Sequence, residues 1–369
     1  MTEAPTTAVS ERRLRFLFTG GGTAGHVVPA LPVAQALRSA GHSVYWAGSR
    51  SGLEERLTAD QVDGYHGLAA GKLRRYWSWQ NLRDAFAVLL GIVQALRLVH
   101  RLRPDVVFSK GGFVSFPVVL AAWLKGIPVI AHESDRTAGL ANRLAYPFLK
   151  GLCTNFPEAP PGFTGTVVHT GTPLRAALQV GDGEQGRAFL YPADASAGGL
   201  PVLLITGGSL GADALNSAVR DALPELLQRY RVAHVCGPGK CPPEPWAQGY
   251  RPLEFVGEAW GDVLAAADLV VSRAGANALF ELLELGKQTL FVPLSRAASR
   301  GDQIENAAYA QALGLAQVRS EETLTGAVLA ADVDALAAAA PQLRDALARL
   351  ERPDACRLIV SMLLNCAPA

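Results

Sequence analysis

Short apolar runs, each closed by glycine, proline or a charge, alternate along this chain with longer stretches of helical period. Residues 14–19 (LRFLFT) read as a buried strand that runs directly into Gly20-Gly-Gly-Thr-Ala-Gly25, and a helical pattern follows over 29–40. Residues 43–47 read as the next strand, a long helix ends near Arg101, and 105–109 and 128–131 are further strands. Strands alternating with helices predict a parallel sheet covered on both faces. Around Gly171-Thr-Pro-Leu-Arg175 the pattern breaks into a loop-rich stretch, and then the opening is replayed. Residues 201–206 form a strand, Gly207-Gly-Ser-Leu-Gly211 a glycine turn and 213–228 a helix, with more strands over 231–236, 269–272 and 288–293. The prediction is α/β: two Rossmann-like, doubly wound domains facing a cleft, 12–172 and 173–353. A last helix starting at Asp354 could pack on either half, and 354–369 is assigned to the first. Ligands of such sheets sit beyond the carboxyl ends of the strands, where the glycine turns lie.

Composition agrees with that picture. A chain of 369 residues fits two domains, and 49% hydrophobic with 18% charged residues is a globular balance. A formal net charge of +1 gives no global pull toward nucleic acid. The first residues carry no positive segment followed by an apolar core, so no secretory signal is expected. The most apolar helical stretch, 85–99, is interrupted by Gln94 and Arg97 and is too short to span a bilayer. The five cysteines form no Cys-x-x-Cys pair and read as small buried hydrophobes in a reducing cytosol. A cytosolic protein is expected, free to work at a membrane surface.

A glycine turn between strand and helix lets backbone N–H groups approach an anion at the positive end of a helix. Gly20, Gly22 and Gly25 satisfy G-x-G-x-x-G, which raises a dinucleotide-binding oxidoreductase. That rival needs an acidic residue at the end of the second strand, and Ala47-Gly-Ser-Arg50 offers none, although Arg50 could accept a 2′-phosphate. A third glycine pair, Gly111-Gly-Phe-Val-Ser115, follows another strand. His26, directly after the first turn, is either a structural helix-start histidine or a base able to take a proton from a sugar hydroxyl near neutral pH. Ser272-Arg-Ala-Gly-Ala276 can cradle a diphosphate, and Glu281 on its helix is either a ribose acceptor or a solvated helix residue. Gln303 could bond a sugar hydroxyl, or Asp302 could simply cap the helix.

Together, Gly21-Gly-Thr-Ala-Gly-His26, Gly111-Gly-Phe-Val-Ser-Phe-Pro117, Ile130-Ala-His-Glu-Ser134, Gly207-Gly-Ser-Leu-Gly-Ala212 and Ser272-Arg-Ala-Gly-Ala276 resemble the peptidoglycan N-acetylglucosaminyltransferases of family 28, within the GT-B glycosyltransferases. The likeness runs from about Leu14 to the last helix. It implies inverting transfer of N-acetylglucosamine from UDP-N-acetylglucosamine to the 4-hydroxyl of undecaprenyl-diphospho-muramoyl-pentapeptide (lipid I), giving lipid II. It further implies His26 as base and Glu133 as a second polar group near the acceptor. Donor contacts would come from Thr23, Ala24, Gly25, Asp135, Arg175, Ser209, Asn216, Val256, Ala276, Asn277, Ala278, Leu279, Phe280, Glu281 and Gln303. Gly22, Gly111, Gly112, Phe113 and Ser115 would meet the acceptor diphosphate. Three departures stand out: Ala24 for a common glycine, Phe113 for a frequent tyrosine, and Asp135 where the family usually has Asn. The last matters most, because a carboxylate cannot donate the hydrogen bond of an amide.

No cofactor and no essential metal are expected. Asp332-Val-Asp334, the one Asp-x-Asp pair, reads as helix-start and surface charge. A lipid-tethered acceptor requires visits to the cytoplasmic face of the plasma membrane, with other cell-wall synthesis enzymes as candidate partners there. Lys72, Arg74, Arg75, Trp77 and Trp79 put cations and aromatics close together, as a membrane contact or an ordinary loop would. Two alternatives stay open: a GT-B enzyme with another lipid or natural-product acceptor, and a catalytically silent nucleotide-sugar-binding protein.

Overall fold

The computed structural model describes residues 12–50, 52–71, 79–192, 199–208 and 210–368. The chain divides into two compact units. One comprises the chain to Glu133, 138–173 and everything from Asp354, and the other comprises Ser134–Thr137 and Leu174–Pro353.

The first unit is built on seven strands: β1 (Arg15–Gly20), β2 (Ser43–Ser49), β3 (Gly64–Leu68), β4 (Val106–Gly111), β5 (Val129–Glu133), β6 (Gly151–Thr154) and β7 (Thr166–His169). All pair in parallel, in the order β3-β2-β1-β4-β5-β6-β7. The helices are α1 (Leu31–Ser39), α2 (Glu54–Thr58), α3 (Trp79–Leu102), α4 (Ser115–Leu124) and α5 (Leu140–Ala145). Side chains alternate across each strand, so the sheet has two apolar faces. Phe16, Phe18, Phe108 and Ile130 pack with Val33 and Leu37 of α1 on one face. Leu17, Val107 and Val129 pack with Val99 of α3 and Val118 of α4 on the other.

In the second unit, β8 (Val202–Thr206), β9 (Arg231–Val235), β10 (Tyr250–Leu253), β11 (Leu269–Ser272), β12 (Thr289–Phe291) and β13 (Gln317–Val318) form a parallel sheet ordered β10-β9-β8-β11-β12-β13. Its helices are α6 (Ala176–Gln179), α7 (Gly183–Leu190), α8 (Asp213–Leu226), α9 (Trp260–Ala266), α10 (Ala276–Glu284), α11 (Asp302–Ala312) and α12 (Gly326–Ala348). The final helix, α13 (Ala355–Cys366), is capped by Asp354, whose carboxylate accepts the Arg357 N–H. It returns to the first unit, where Ile359 and Leu363 are fully buried against the β1 face.

One expectation, on the Asp-x-Asp pair, needs correction. Among the described residues, α12 is the one helix long and apolar enough to cross a bilayer by length and composition. Its Leu329, Val333 and Leu336 instead pack into the core of the second unit. Asp332 and Asp334 do not stand at a helix start, because α12 begins at Gly326 behind a Thr325 cap. Arg319 grips Asp332 in a paired contact at 2.6 Å, and Arg229 holds Asp334 at 2.5 Å.

In both sheets the strand order reverses once, at β1/β4 and at β8/β11. At those switch points neighbouring loops leave to opposite faces, which opens a crevice at the carboxyl ends. The registers place Gly20 beside Gly111 and Thr206 beside Ser272. All the glycine turns therefore lie at the two switch points.

Candidate active site

In the first unit, the turn after β1 and the turn after β4 are one packed object. Gly21 donates its N–H to the Gly111 carbonyl at 3.3 Å. Gly22, Gly111 and Gly112 have φ of 85°, 88° and 84°, a region closed to most side chains. A methyl on Gly22 would strike the Phe113 ring, and one on Gly112 the Gly21 carbonyl. Ser115 opens α4 with its hydroxyl donating to the Gly112 carbonyl at 2.7 Å. Ser115 thus braces the turn to which the acceptor diphosphate was assigned.

His26 closes a short 3-10 turn, Ala24–His26, and is half-buried. Its Nδ1 lies 2.9 Å from the Thr23 hydroxyl. Thr23 is exposed, while Ala24 and Gly25 are half-buried. Glu133, at the end of β5, is buried and accepts from Asn142 Nδ2 at 2.7 Å. Its neighbour His132 is kept neutral: burial, then the nearby Lys110 charge, hold it well below its ordinary value of 6.5.

Sequence reasoning missed Glu54. The carboxylate sought at the end of β2 arrives from the first turn of α2, fully buried, and it holds backbone rather than ribose. Oε1 accepts the Gly22 N–H at 2.6 Å and Oε2 accepts from Ser49 Oγ at 3.0 Å. The Gly22 amide is therefore engaged inside the protein. A Cβ at Gly52 would overlap this carboxylate, a fit that only the folded structure shows.

In the second unit, β8 ends in Gly207 and Gly208, and Gly211 (φ 69°) closes the turn against the Cys236 carbonyl. Ser209 lies outside the described residues. Asn216 of α8 is buried behind the turn. Its Nδ2 donates to the Cys236 carbonyl at 2.9 Å, and its Oδ1 meets His234 Nε2 at 2.9 Å. Burial lowers His234 to about 4, leaving a neutral ring between Asn216 and the Tyr250 hydroxyl. Asn216 thus fixes the turn from within the core.

The turn after β11 enters α10 through Gly275, in extended conformation and without a side-chain cap. An uncapped helix start presents orphan N–H groups and a positive dipole end, which suits a diphosphate. Ala276, Leu279 and Phe280 are buried, while Asn277 and Ala278 are half-buried. Arg273, inside this motif, is not solvent-facing. Its Nη1 donates to the Val292 carbonyl at 3.0 Å, it pairs with Glu321, and it ties the turn to the next loop. Glu281 Oε1 accepts from Trp260 Nε1 at 2.7 Å. Burial raises Glu281 above its ordinary value of 4.5, opposed by that hydrogen bond and by the Arg175 charge. Arg175 itself is exposed. Gln303 Oε1 accepts the Leu294 N–H at 3.1 Å, and its Nε2 lies 3.9 Å from where a Gly275 Cβ would stand. The helix start, Glu281 and Gln303 thus share one end of the sheet. Val256, half-buried, precedes the turn Gly257–Ala259. Asp135 falls in the second unit, in ion contact with Arg300 at 2.7 Å.

Lys72, Arg74, Arg75, Trp77 and the Trp79 side chain lie outside the described residues. Beyond them α3 exposes Phe86 (71%), Leu89 (62%), Leu90 and Val93, an i, i+3, i+4, i+7 stripe turned away from the core. Trp123 and Leu124 of α4 and Leu144 of α5 are exposed as well.

Known proteins share this arrangement. The model of the glycosyltransferase family 28 N-terminal domain matches residues 16–154, and that of the family 28 C-terminal domain matches 202–355. A UDP-N-acetylglucosamine--N-acetylmuramyl-(pentapeptide) pyrophosphoryl-undecaprenol N-acetylglucosamine transferase of Geobacillus thermodenitrificans is 46% identical over 328 residues, covering 88% of this chain and 91% of the relative. The transferase of the same name from Legionella pneumophila is 45% identical, covering 85% and 86%. A crystal structure of Acinetobacter baumannii MurG superposes with a TM-score of 0.73 at 27% identity, over 96% of this chain and all of the other. The calicheamicin glycosyltransferase CalG4, at 16% identity and a TM-score of 0.69 over 96% and 98%, shares the fold alone.

Proposed function

Because the chain belongs to glycosyltransferase family 28, we propose that it transfers N-acetylglucosamine from UDP-N-acetylglucosamine to the 4-hydroxyl of the N-acetylmuramyl unit of undecaprenyl-diphospho-muramoyl-pentapeptide. The observation that carries this reading is 46% identity across 91% of a transferase named for that reaction. Each unit is a GT-B half.

The donor linkage is α and the product linkage β-1,4, so one displacement suffices. The acceptor oxygen attacks C1 as the C1–O bond to UDP breaks, the acceptor proton passes to a base, and UDP departs with the electron pair. His26 is that base. When Nδ1–H donates to the Thr23 hydroxyl, the Nε2 lone pair is left to accept the proton. Glu133, held by Asn142, lies among the acceptor-side groups with the turn Gly111–Phe113. Charge growing on UDP is met by the start of α10, whose dipole is fixed before reaction. Glu281 accepts the ribose hydroxyls, and the Gln303 amide donates to the sugar.

The lipid tether brings the enzyme to the cytoplasmic face of the membrane as a peripheral protein. The apolar stripe of α3, next in sequence to the cation- and aromatic-rich segment 72–79, supports the first unit as the docking side.

The test is transfer itself. Purified protein receives a lipid I analogue with UDP-N-acetylglucosamine, and with UDP-glucose and UDP-N-acetylgalactosamine as competitors, and products are identified by mass. His26→Ala should keep UDP affinity by calorimetry and lose about 10²–10⁴-fold in kcat, the range of general-base contributions. Absence of a disaccharide product from the native chain would overturn the reading.

A further inference from the structure

Asp135 occupies a position that sequence resemblance assigned to the donor, yet both of its oxygens are engaged inside the second unit. Oδ2 accepts from Arg300 Nη2 at 2.7 Å, and Oδ1 accepts from Asn306 Nδ2 at 3.2 Å. The pair is only partly solvated, with the Arg300 side chain 30% and the Asp135 side chain 22% exposed. Arg300 also approaches Asp302, the first residue of α11, at 3.4 Å. Gly301, between them, has φ 92° and makes the kink that sends the guanidinium back toward Asp135 while α11 begins.

The surrounding contacts all lead to donor-side elements. Asn306 is fully buried and spans three segments. It accepts the Arg136 N–H at 3.3 Å, and its Nδ2 donates both to Asp135 and to the Ala274 carbonyl at 3.2 Å. Ala274 lies in the turn that starts α10. Ser134 Oγ reaches Asn277 Oδ1 at 3.4 Å, Thr137 bonds Glu305, and the Arg136 guanidinium lies 5.7 Å from the Tyr309 ring centre. Residues 134–137 thus form a strap across the starts of α10 and α11. One end of the strap fixes the diphosphate turn; Arg300, three residues before Gln303, fixes the other.

We propose that Asp135 and Arg300 are a matched pair of positioning residues, which holds the α10 start and Gln303 in donor-binding geometry. The carboxylate at 135 therefore does its work through Arg300 rather than as a ligand of the sugar nucleotide. An amide at 135 would leave the guanidinium with only the more distant Asp302 carboxylate as counter-charge, and the strap would lose its register against α11. The inference rests on the donor site of the reading above.

A double-mutant cycle tests it, with UDP affinity and the KM and kcat for UDP-N-acetylglucosamine measured on the native chain, Asp135→Asn, Arg300→Gln and the double variant. Each single change should raise the donor KM and UDP Kd about tenfold, with kcat within about threefold. The double variant, with amide facing amide, should return to within about threefold of native, the non-additivity of groups in contact. If Asp135 instead touches the donor, the loss caused by Asp135→Asn persists when Arg300 is also replaced and the two effects multiply; that result overturns the pairing. Thermal unfolding of all four proteins separates the remaining case. A lowered Tm with unchanged KM in the single variants would show a brace without influence on the donor, and would equally overturn it. A native chain that fails to bind UDP strikes the functional reading itself, an outcome distinct from either.

Discussion

At Glu281 the ionised carboxylate that a ribose requires is the form that burial disfavours. Desolvation raises this group, so protonation begins at a higher pH than for a free glutamate. A folded-state value raised above the unfolded one makes the charge unfavourable to stability at neutral pH, with relief as pH falls through the raised value. Ligand binding has the opposite sign, since the neutral acid is the weaker acceptor. UDP affinity measured by calorimetry should therefore weaken from neutral pH down toward the ordinary carboxylate range near 4.5. Glu281→Gln keeps an acceptor for the Trp260 N–H. It should bind UDP about tenfold more weakly at neutral pH, the loss expected of one charged hydrogen-bonding group. Its affinity should be flat over the acid range, and its Tm equal to or above native. A pH slope surviving in the variant would assign the titration to another group. Residues of this kind were legible because motif and local position coincide. Glu54 was not, since its partner Gly22 lies 32 positions away, and neither was Arg300, 165 positions from Asp135. No local pattern encodes a partner that only the folded sheet brings near.

Among elements, the central strands announced themselves and the marginal ones did not. β1, β4, β8 and β11 are buried on both faces and therefore appear as continuous apolar runs. The edge strands β3 and β7 are half-buried or exposed along most of their length, and β13 is two residues long, so neither alternation nor a run develops. The glycine turns were placed correctly in sequence, but their meeting required the strand order, which put Gly20 beside Gly111. Helix α3 was legible as a helix, though not its outward stripe, because a stripe becomes conspicuous only once the opposite face is seen buried. Replacing Phe86 and Leu89 by Ser removes two large exposed apolar groups without touching the core. Binding to anionic lipid vesicles, read by co-sedimentation, should drop about tenfold or more at the usual return of apolar area. Turnover of a short-chain soluble acceptor should stay within about twofold. Undiminished sedimentation would remove this helix from the docking surface.

For the molecule as a whole, the two-sheet plan was legible, whereas the path of the chain between units was not. Residues 134–137 belong with the second unit although their neighbours on both sides belong with the first. The pattern left the final helix open to either half, and α13 settles on the first because Ile359 and Leu363 find the β1 face there. Removing residues 355–369 would uncover that face. By the magnitude of large core truncations, the first unit should lose its cooperative melting transition, while the second keeps its own and still binds UDP. Retention of two transitions in the shortened protein would show α13 to be dispensable.

The return of α13 also sets a timetable. A ribosome delivers β1 long before α13, so α1 covers its share of the β1 face early, and the share that Ile359 and Leu363 cover stays open until α13 has been made. The elements of the second unit, by contrast, have all been made by Pro353. During that interval the nascent first unit presents the part of this face that α1 leaves open to whatever holdase is at hand, and a premature stop before α13 harms the part that was made earliest.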